Sequence, residues 1–307
     1  MKLPATIGVA AICLLLAGSA AADIKIHQKH RFDARPGATV VVDASFHNIE
    51  VTAVPGDSVD VTVDVVVKGD GSRAKNAAND LQPQFLIDGN RLIIRSNVKR
   101  GWSWNSISAK GEITVTMPPG MNLAIDASSG GTRISGDFGD VVVNVDASSG
   151  SLTVDGAMRE LSADLSSGSV KVAVMRPLEK FSVDASSGSV RLVGGAHSAS
   201  IDTSSGSINV AGLLGNGHFD TSSGGITAQW TAIPSGANVR AEASSGSVHL
   251  AFPVGTRLNG SVDVSSGGIR SDFPGIMSKK HLDLDGGSGA VNLTVETSSG
   301  GVKLLAN

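Results

Sequence analysis

The chain has 307 residues, and its 25 lysines and arginines against 28 acidic residues give a net charge of −3, which offers no basic footprint for nucleic acid. Thirty-eight glycines, 4% aromatic residues and no tyrosine depart from an ordinary globular composition and point to repetition. A single cysteine excludes a disulfide framework and a cluster of thiolate metal ligands.

Taken in chain order, residues 1–22 read as a secretory signal peptide: Lys2, an apolar run from Ile7 to Leu16, and Ala20-Ala21-Ala22 before Asp23. The run is too short to span a bilayer comfortably, and no later stretch approaches the roughly 20 apolar residues of a membrane helix, so the mature chain is expected to carry no integral membrane segment. Ile12 before Cys13 does not suit a lipid-anchor signal, and cleavage would leave no thiol.

Residues 23–120 form an irregular β-rich cap. Val59, Val61, Val63, Val65 and Val67 alternate as a strand with one buried face, and Ile87, Leu92 and Ile94 flank an Asp88-Gly89-Asn90 turn. A short helix is expected from Ser72 to Leu81, capped by Ser72. The segment DASFHNIEV, from Asp43, has the length and phase of the phrase that dominates the rest of the chain, and is read as its degenerate first copy. Met117-Pro118-Pro119-Gly120 marks the entry to the regular array.

Residues 121–307 repeat one phrase: an acid, a small or apolar residue, Ser-Ser-Gly, a small residue and a branched apolar one. It runs from DASSGGT at Asp126 through DASSGSV at Asp184 to an altered DGGSGAV at Asp285 and ETSSGGV at Glu296. The bend glycines recur every 18 to 22 residues until a last step of 11, which suggests a truncated closing coil. A period near 20 means one supersecondary unit per copy, stacked on its neighbours. Alternation puts Val143, Val145, Ala147, Leu152 and Val154 inside and Asn144 and Asp146 outside, giving strand, bend, strand, turn.

Hairpins in tandem would alternate equally well. Near-identical phrases favour a parallel stack, because equivalent residues then lie about 4.8 Å apart in like-with-like columns. The expected fold is all-β: a parallel β-solenoid of about ten coils, right-handed because parallel crossovers nearly always are. One coil alone buries about six apolar side chains at roughly 2 kcal/mol each, against about 1.5 kcal/mol for every ordered residue, so coils must stack to be stable. The bend glycine takes positive φ without a Cβ clash.

The exported chain, the irregular β-rich start and the DxSSGSVxV phrases resemble the DUF4097 family of bacterial β-strand-repeat proteins, and more distantly the head domain of autotransporter adhesins. The resemblance covers about residues 35 to 305. It implies a β-strand-repeat architecture and an adhesin-type role, and it brings no catalytic residues.

The acidic position recurs as Asp126, Asp146, Asp164, Asp184, Asp202, Asp220, Glu242, Asp263, Asp285 and Glu296. Stacked, these carboxylates repel one another, which raises some of their pKa values and makes the row a calcium candidate. The simpler reading, that each acid accepts a hydrogen bond from the bend it precedes, is favoured. Arg133, Lys171, Arg191, His249, Arg270 and Lys303 come after the bends as a partly basic column. Trp102 and Trp104 share a face near Lys99, Arg100 and Lys110, either as an exposed ligand contact or as packing over the solenoid end. Trp230 is expected in the core or at its edge.

Catalytic templates fail. His27 and His30 face opposite sides of a strand and cannot share a metal. The bend serines lack a dedicated histidine base, and Gly286-Gly287-Ser288-Gly289-Ala290 misses the final glycine of a nucleophile elbow. No cofactor is implied. The expectation is a non-enzymatic, periplasmic or surface scaffold binding an envelope component, protein or glycan. The alternative is a glycan-acting enzyme on a β-helix, and a third reading, ice or mineral binding, is weakened because the outward columns mix Asp, Lys, Arg, Asn and Thr.

Overall fold

Strict alternation of aliphatic and polar residues gives almost every segment one buried face. In the computed structural model, which describes residues 23–69, 71–96 and 108–307, this pattern resolves into strands with a single short helix. The chain divides into two compact units, the first ending at Gly150 and the second spanning Ser151–Asn307.

In the first unit, one sheet takes strands Ile24–Asp33, Ser58–Val67, Ala109–Met117, His47–Ala53 and Thr132–Asp137 in that order. The other takes Val142–Ser149, Asn122–Ala127, Thr39–Ala44, Arg91–Ser96 and Pro83–Asp88. The pairings among the first three strands, and between the last two, are antiparallel. Val59, Val61, Val63, Val65 and Val67 are buried, as their spacing requires. The degenerate copy forms the layer under the first full one: Val42, Asp43 and Ala44 pair in register with Ile125, Asp126 and Ala127, and Val51 with Ile134.

The helix is Ser72–Asp80, with Ala74, Ala77 and Ala78 buried. Its start differs from expectation. Gly71 is the N-cap, in extended conformation with no side-chain cap bond, and Ser72 is already helical, so its hydroxyl is one residue too late to cap.

In the second unit the stacked coils are parallel and in register, apart from one irregularity between Ala211 and Leu213. One sheet places side by side Glu160–Ser167, Leu178–Ser187, Ala196–Ser205, Asn216–Ser223, Asn238–Ser245, Val291–Ser299 and Leu258–Ser266. The other holds the second strand of each coil, from Leu152–Ala157 to Ile269–Ser271. Phe181, Val183, Ala185, Val190 and Leu192 fill one layer and Ala199, Ile201, Thr203, Ile208 and Val210 the next, all buried.

Two expectations fail at the C-terminal end. The last copy does not close the stack: Val291–Ser299 and Val302–Ala306 lie between the coil of residues 238–252 and the coil of residues 258–271, both of which precede them in sequence. Nor does the altered copy at Asp285 make a coil. A turn in which Ser278 N–H donates to the His281 carbonyl at 2.8 Å reverses the chain, so His281–Asp285 runs antiparallel along Leu258–Ser266, with Asp285 opposite Asn259. The Asp285 carboxylate then accepts from Gly287 N–H at 3.2 Å, closing a tight turn instead of a stacked bend.

Candidate functional site

Each strand before a bend in the second unit points alternate residues outward, and in-register pairing aligns them across seven strands. Asp164, Asp184, Asp202, Asp220, Glu242, Glu296 and Asp263 are paired each with the next, while Asp285 stands outside the row. In the first unit Asp43, Asp126 and Asp146 form the corresponding row. One outward position after each acid stands a serine: Ser166, Ser186, Ser204, Ser222, Ser244, Ser298 and Ser265, all exposed. The face is therefore polar and repeats every strand, about 4.8 Å.

The bend holds this geometry because the parallel ladder continues around the corner. Gly188 N–H donates to Ser205 C=O at 2.8 Å, Gly206 to Ser223 at 2.8 Å, Gly224 to Ser245 at 2.9 Å and Gly246 to Ser299 at 2.7 Å. Such stacking leaves no room for a side chain: at Gly188, with φ of +125°, a Cβ would lie 1.9 Å from the Gly168 carbonyl oxygen. Behind the acids, Thr221 and Thr297 turn inward and their hydroxyls donate to the Gly206 and Gly246 carbonyls at 3.1 and 3.0 Å.

Crowding of like charge shows in the acids. The pKa of Asp126 is raised by partial burial and then by Asp43 and Asp146. Asp202 is raised by partial burial and then by Asp220 and Asp184, with His218 pulling the other way. Cations relieve the row locally: Arg95 donates to Asp43 at 2.8 Å, Arg240 meets Glu242, and His281 bridges Asp263 at 2.6 Å and Asp283 at 2.9 Å, which raises the imidazole pKa. These partners all sit on the sheet that carries the acids.

The basic column occupies the other sheet, where Lys171, Arg191, Asn209, Thr227, His249, Lys303 and Arg270 pair successively, and Arg133 of the first unit pairs with Glu50. The repeating acids and the partly basic column thus stand on different sheets, although the acid-bearing sheet also carries Lys180, Asn216, Asn238, Arg240 and Asn292.

An open groove of about 210 Å³ lies on the acidic face, lined by Asp220, Glu242, Ser244, Glu296, Ser298 and Asp263. It can accept hydrogen bonds from hydroxyl or ammonium groups at several points. Among the described residues no group of three or more histidine, cysteine or acidic side chains converges closely enough to hold a metal ion. Trp102 and Trp104 lie outside the described residues. Trp230 is core: its indole N–H donates to Gly215 C=O at 2.8 Å, and its ring stacks on Phe252 at 4.7 Å. His27 takes Asp64 at 2.7 Å, while His30 on the other face lies against Phe85, the rings tilted with centroids 4.0 Å apart.

Two features were missed in the sequence. The His281 bridge joins residues whose meeting depends on the chain reversal. His47 occupies the glycine position of the degenerate bend, is fully buried with neither ring nitrogen hydrogen-bonded, and is held by burial at a pKa of about 4. It pairs with Gly111, where a Cβ would lie 2.3 Å from the imidazole Cδ2. Glycine is needed there to make room for the ring.

Register, sorted faces and ladder-bound bends define a parallel β-solenoid whose regular outward rows carry its polar chemistry. The Toastrack DUF4097 family signature matches residues 39–305, and the chain belongs to that family. Among solved structures it is similar to a "putative lipid binding protein" from Parabacteroides distasonis ATCC 8503, at 14% identity and TM-score 0.51, covering 91% of this chain and 96% of that one. It is also similar to a "putative adhesin" from Bacteroides fragilis NCTC 9343, at 14% identity and TM-score 0.46, covering 91% and 97%. No curated protein matches it.

Proposed function

We propose that this protein is a non-enzymatic, exported scaffold that holds an envelope or cell-surface component, a glycan or a protein, on its acid-and-serine face. One observation carries the reading: seven in-register strands present an uninterrupted row of carboxylates beside a row of serines, with the same chemistry in every layer. Six strand spacings make the face about 29 Å long, which suits an extended, repetitive ligand better than a small substrate. The adhesin naming of a structural neighbour agrees with a binding role. Residues 1–22 serve as the export signal in this reading, and among the described residues no helix is long and apolar enough to cross a membrane.

The test is binding of the purified chain to peptidoglycan, lipopolysaccharide and a panel of polysaccharides, compared with an Asp184→Asn/Asp202→Asn/Asp220→Asn variant. These side chains are outward, so the variant is expected to fold and lose binding. Binding that survives the triple change removes the acidic face from the function, and release of cleaved products turns the reading to a glycan-acting enzyme.

A further inference from the structure

In the second unit the last coil in sequence is not the outermost coil of the stack. Residues 291–306 make a complete strand, bend and strand, with parallel neighbours on both sides in both sheets. Ser299 pairs with Ser245 on one side and Ser266 on the other, and Val302 with Val248 and Ile269. The connection of residues 253–257 steps over this layer. It has five residues, within the range of links that join adjacent coils, from two between Ala157 and Glu160 to seven between Trp230 and Asn238. Five extended residues reach about 16 Å, enough to cross two strand spacings of about 4.8 Å.

Because residues 291–306 follow every other strand of the unit in the chain, they and whatever comes after them can leave without unthreading another coil. Their departure would open a slot whose two rims each carry a row of unpaired backbone groups, and would uncover the contacts of Val291, Leu293, Val295, Val302 and Leu304, all buried in place. The rims specify what fits. Acid lines up with acid, serine with serine and bend glycine with bend glycine, so only a segment carrying this phrase satisfies both at once. The outer rim is shaped to it: a Cβ on Gly260, at φ +136°, would lie 2.0 Å from the Leu293 carbonyl oxygen. The link from the outer hairpin to the inserted layer is Gly286-Gly287-Ser288-Gly289, and Gly287 has open space around it, which suits a hinge.

We propose that the slot between residues 238–252 and 258–271 is an acceptor for residues 291–306 of a second copy of this chain, so that copies join by exchanging their last coil. The second copy is the partner because its segment reproduces every register contact that the chain's own segment makes. Exchange adds no new interface chemistry, and only the hinge changes path.

Single cysteines test this directly, with Cys13 replaced by Ala throughout. Ser245→Cys and Ser299→Cys chains are mixed at high concentration, warmed, cooled and oxidised. A mixed disulfide dimer is expected, since Ser245 and Ser299 are exposed register partners. Ser205→Cys with Ser223→Cys, partners between interior coils, is the control and should yield none. The double variant Ser245→Cys/Ser299→Cys, oxidised as monomer, should lock its own segment and no longer exchange with wild-type chains. A mixed dimer no more abundant than the control overturns the proposal. So does a chain shortened after Asp285 that folds and fails to bind a synthetic peptide of residues 287–307, because the outer coil has then closed the slot itself.

Discussion

Between Glu160 and Ser245, neighbours in sequence are neighbours in space; beyond Leu258, and in the first unit between Ser58 and Met117, they are not. In the first region every layer repeats the same phrase and two-residue to seven-residue turns join adjacent layers. Elsewhere, layers are completed by segments distant in the chain. The contrast teaches that the phrase encodes the register of a layer, through glycine fit and burial, while its rank in the stack is set by the segment that comes after it in the chain.

The sharpest way to break that contrast is at the glycines. Gly188→Val forces a side chain into the carbonyl below at a positive φ, and a loss of about 4 kcal/mol or more is expected in urea unfolding. Gly287→Ala has a left-handed φ of +69° but nothing within 4 Å, so about 1 kcal/mol is expected. Equal costs at the two sites would mean that stacking does not set the glycine requirement.

The two units should also differ in acid. His47 is buried neutral with its pKa lowered to about 4 from 6.5, so the unfolded chain binds the extra proton first. Its contribution is present above pH 6.5 and is lost as pH falls towards 4, by roughly 3 kcal/mol. His47→Leu should flatten that slope. Unfolding followed separately in the first unit, by hydrogen exchange between pH 7 and 4.5, checks it.

In the second unit Trp230→Phe removes the indole donor and strands the Gly215 carbonyl, at a cost of about 1–3 kcal/mol by thermal or urea unfolding. The smallest effects belong on the outward face. Asp202 has a raised pKa, so in the folded state it disfavours charge at neutral pH and stability recovers as pH falls through the raised value. Asp202→Asn should leave unfolding unchanged or slightly improved at pH 7, and a clear loss would show that the carboxylate is needed for its bend. For His281 the shift is upward, so its support is full below 6.5 and fades as pH rises through the raised value. His281→Asn should therefore speed amide exchange in residues 276–285 at pH 6 and not at pH 9.

Much of the fold was legible in the sequence. The inward residues around Asp146 and Asp184, the bend glycines, and Asp43 as the start of a degenerate copy could be read from alternation and a fixed offset. The insertion of residues 291–306 could not, because DVSSGGI and ETSSGGV are interchangeable in any layer and link length does not tell them apart: the link at 253–257 is shorter than the one at 231–237, which joins adjacent layers. Asp285 had a visible warning, Gly-Ser-Gly at 287–289 where the other copies have Ser-Ser-Gly. That the repeating acids and the partly basic column lie on different sheets could be read only once the bend was known to pass the chain from one sheet to the other. His47 gave no local signal, since the space it fills is created by Gly111, far along the chain.

The hydrogen-bond ladder that rounds each bend has a further consequence. A coil so built offers its successor the same template it received, and nothing within the coil says stop. The number of layers must then be determined by the pieces that do not repeat, such as the reversed hairpin of residues 276–285, which presents a two-residue edge where a full coil would otherwise invite another. Added or deleted copies should lengthen or shorten the molecule while its terminators keep it finite.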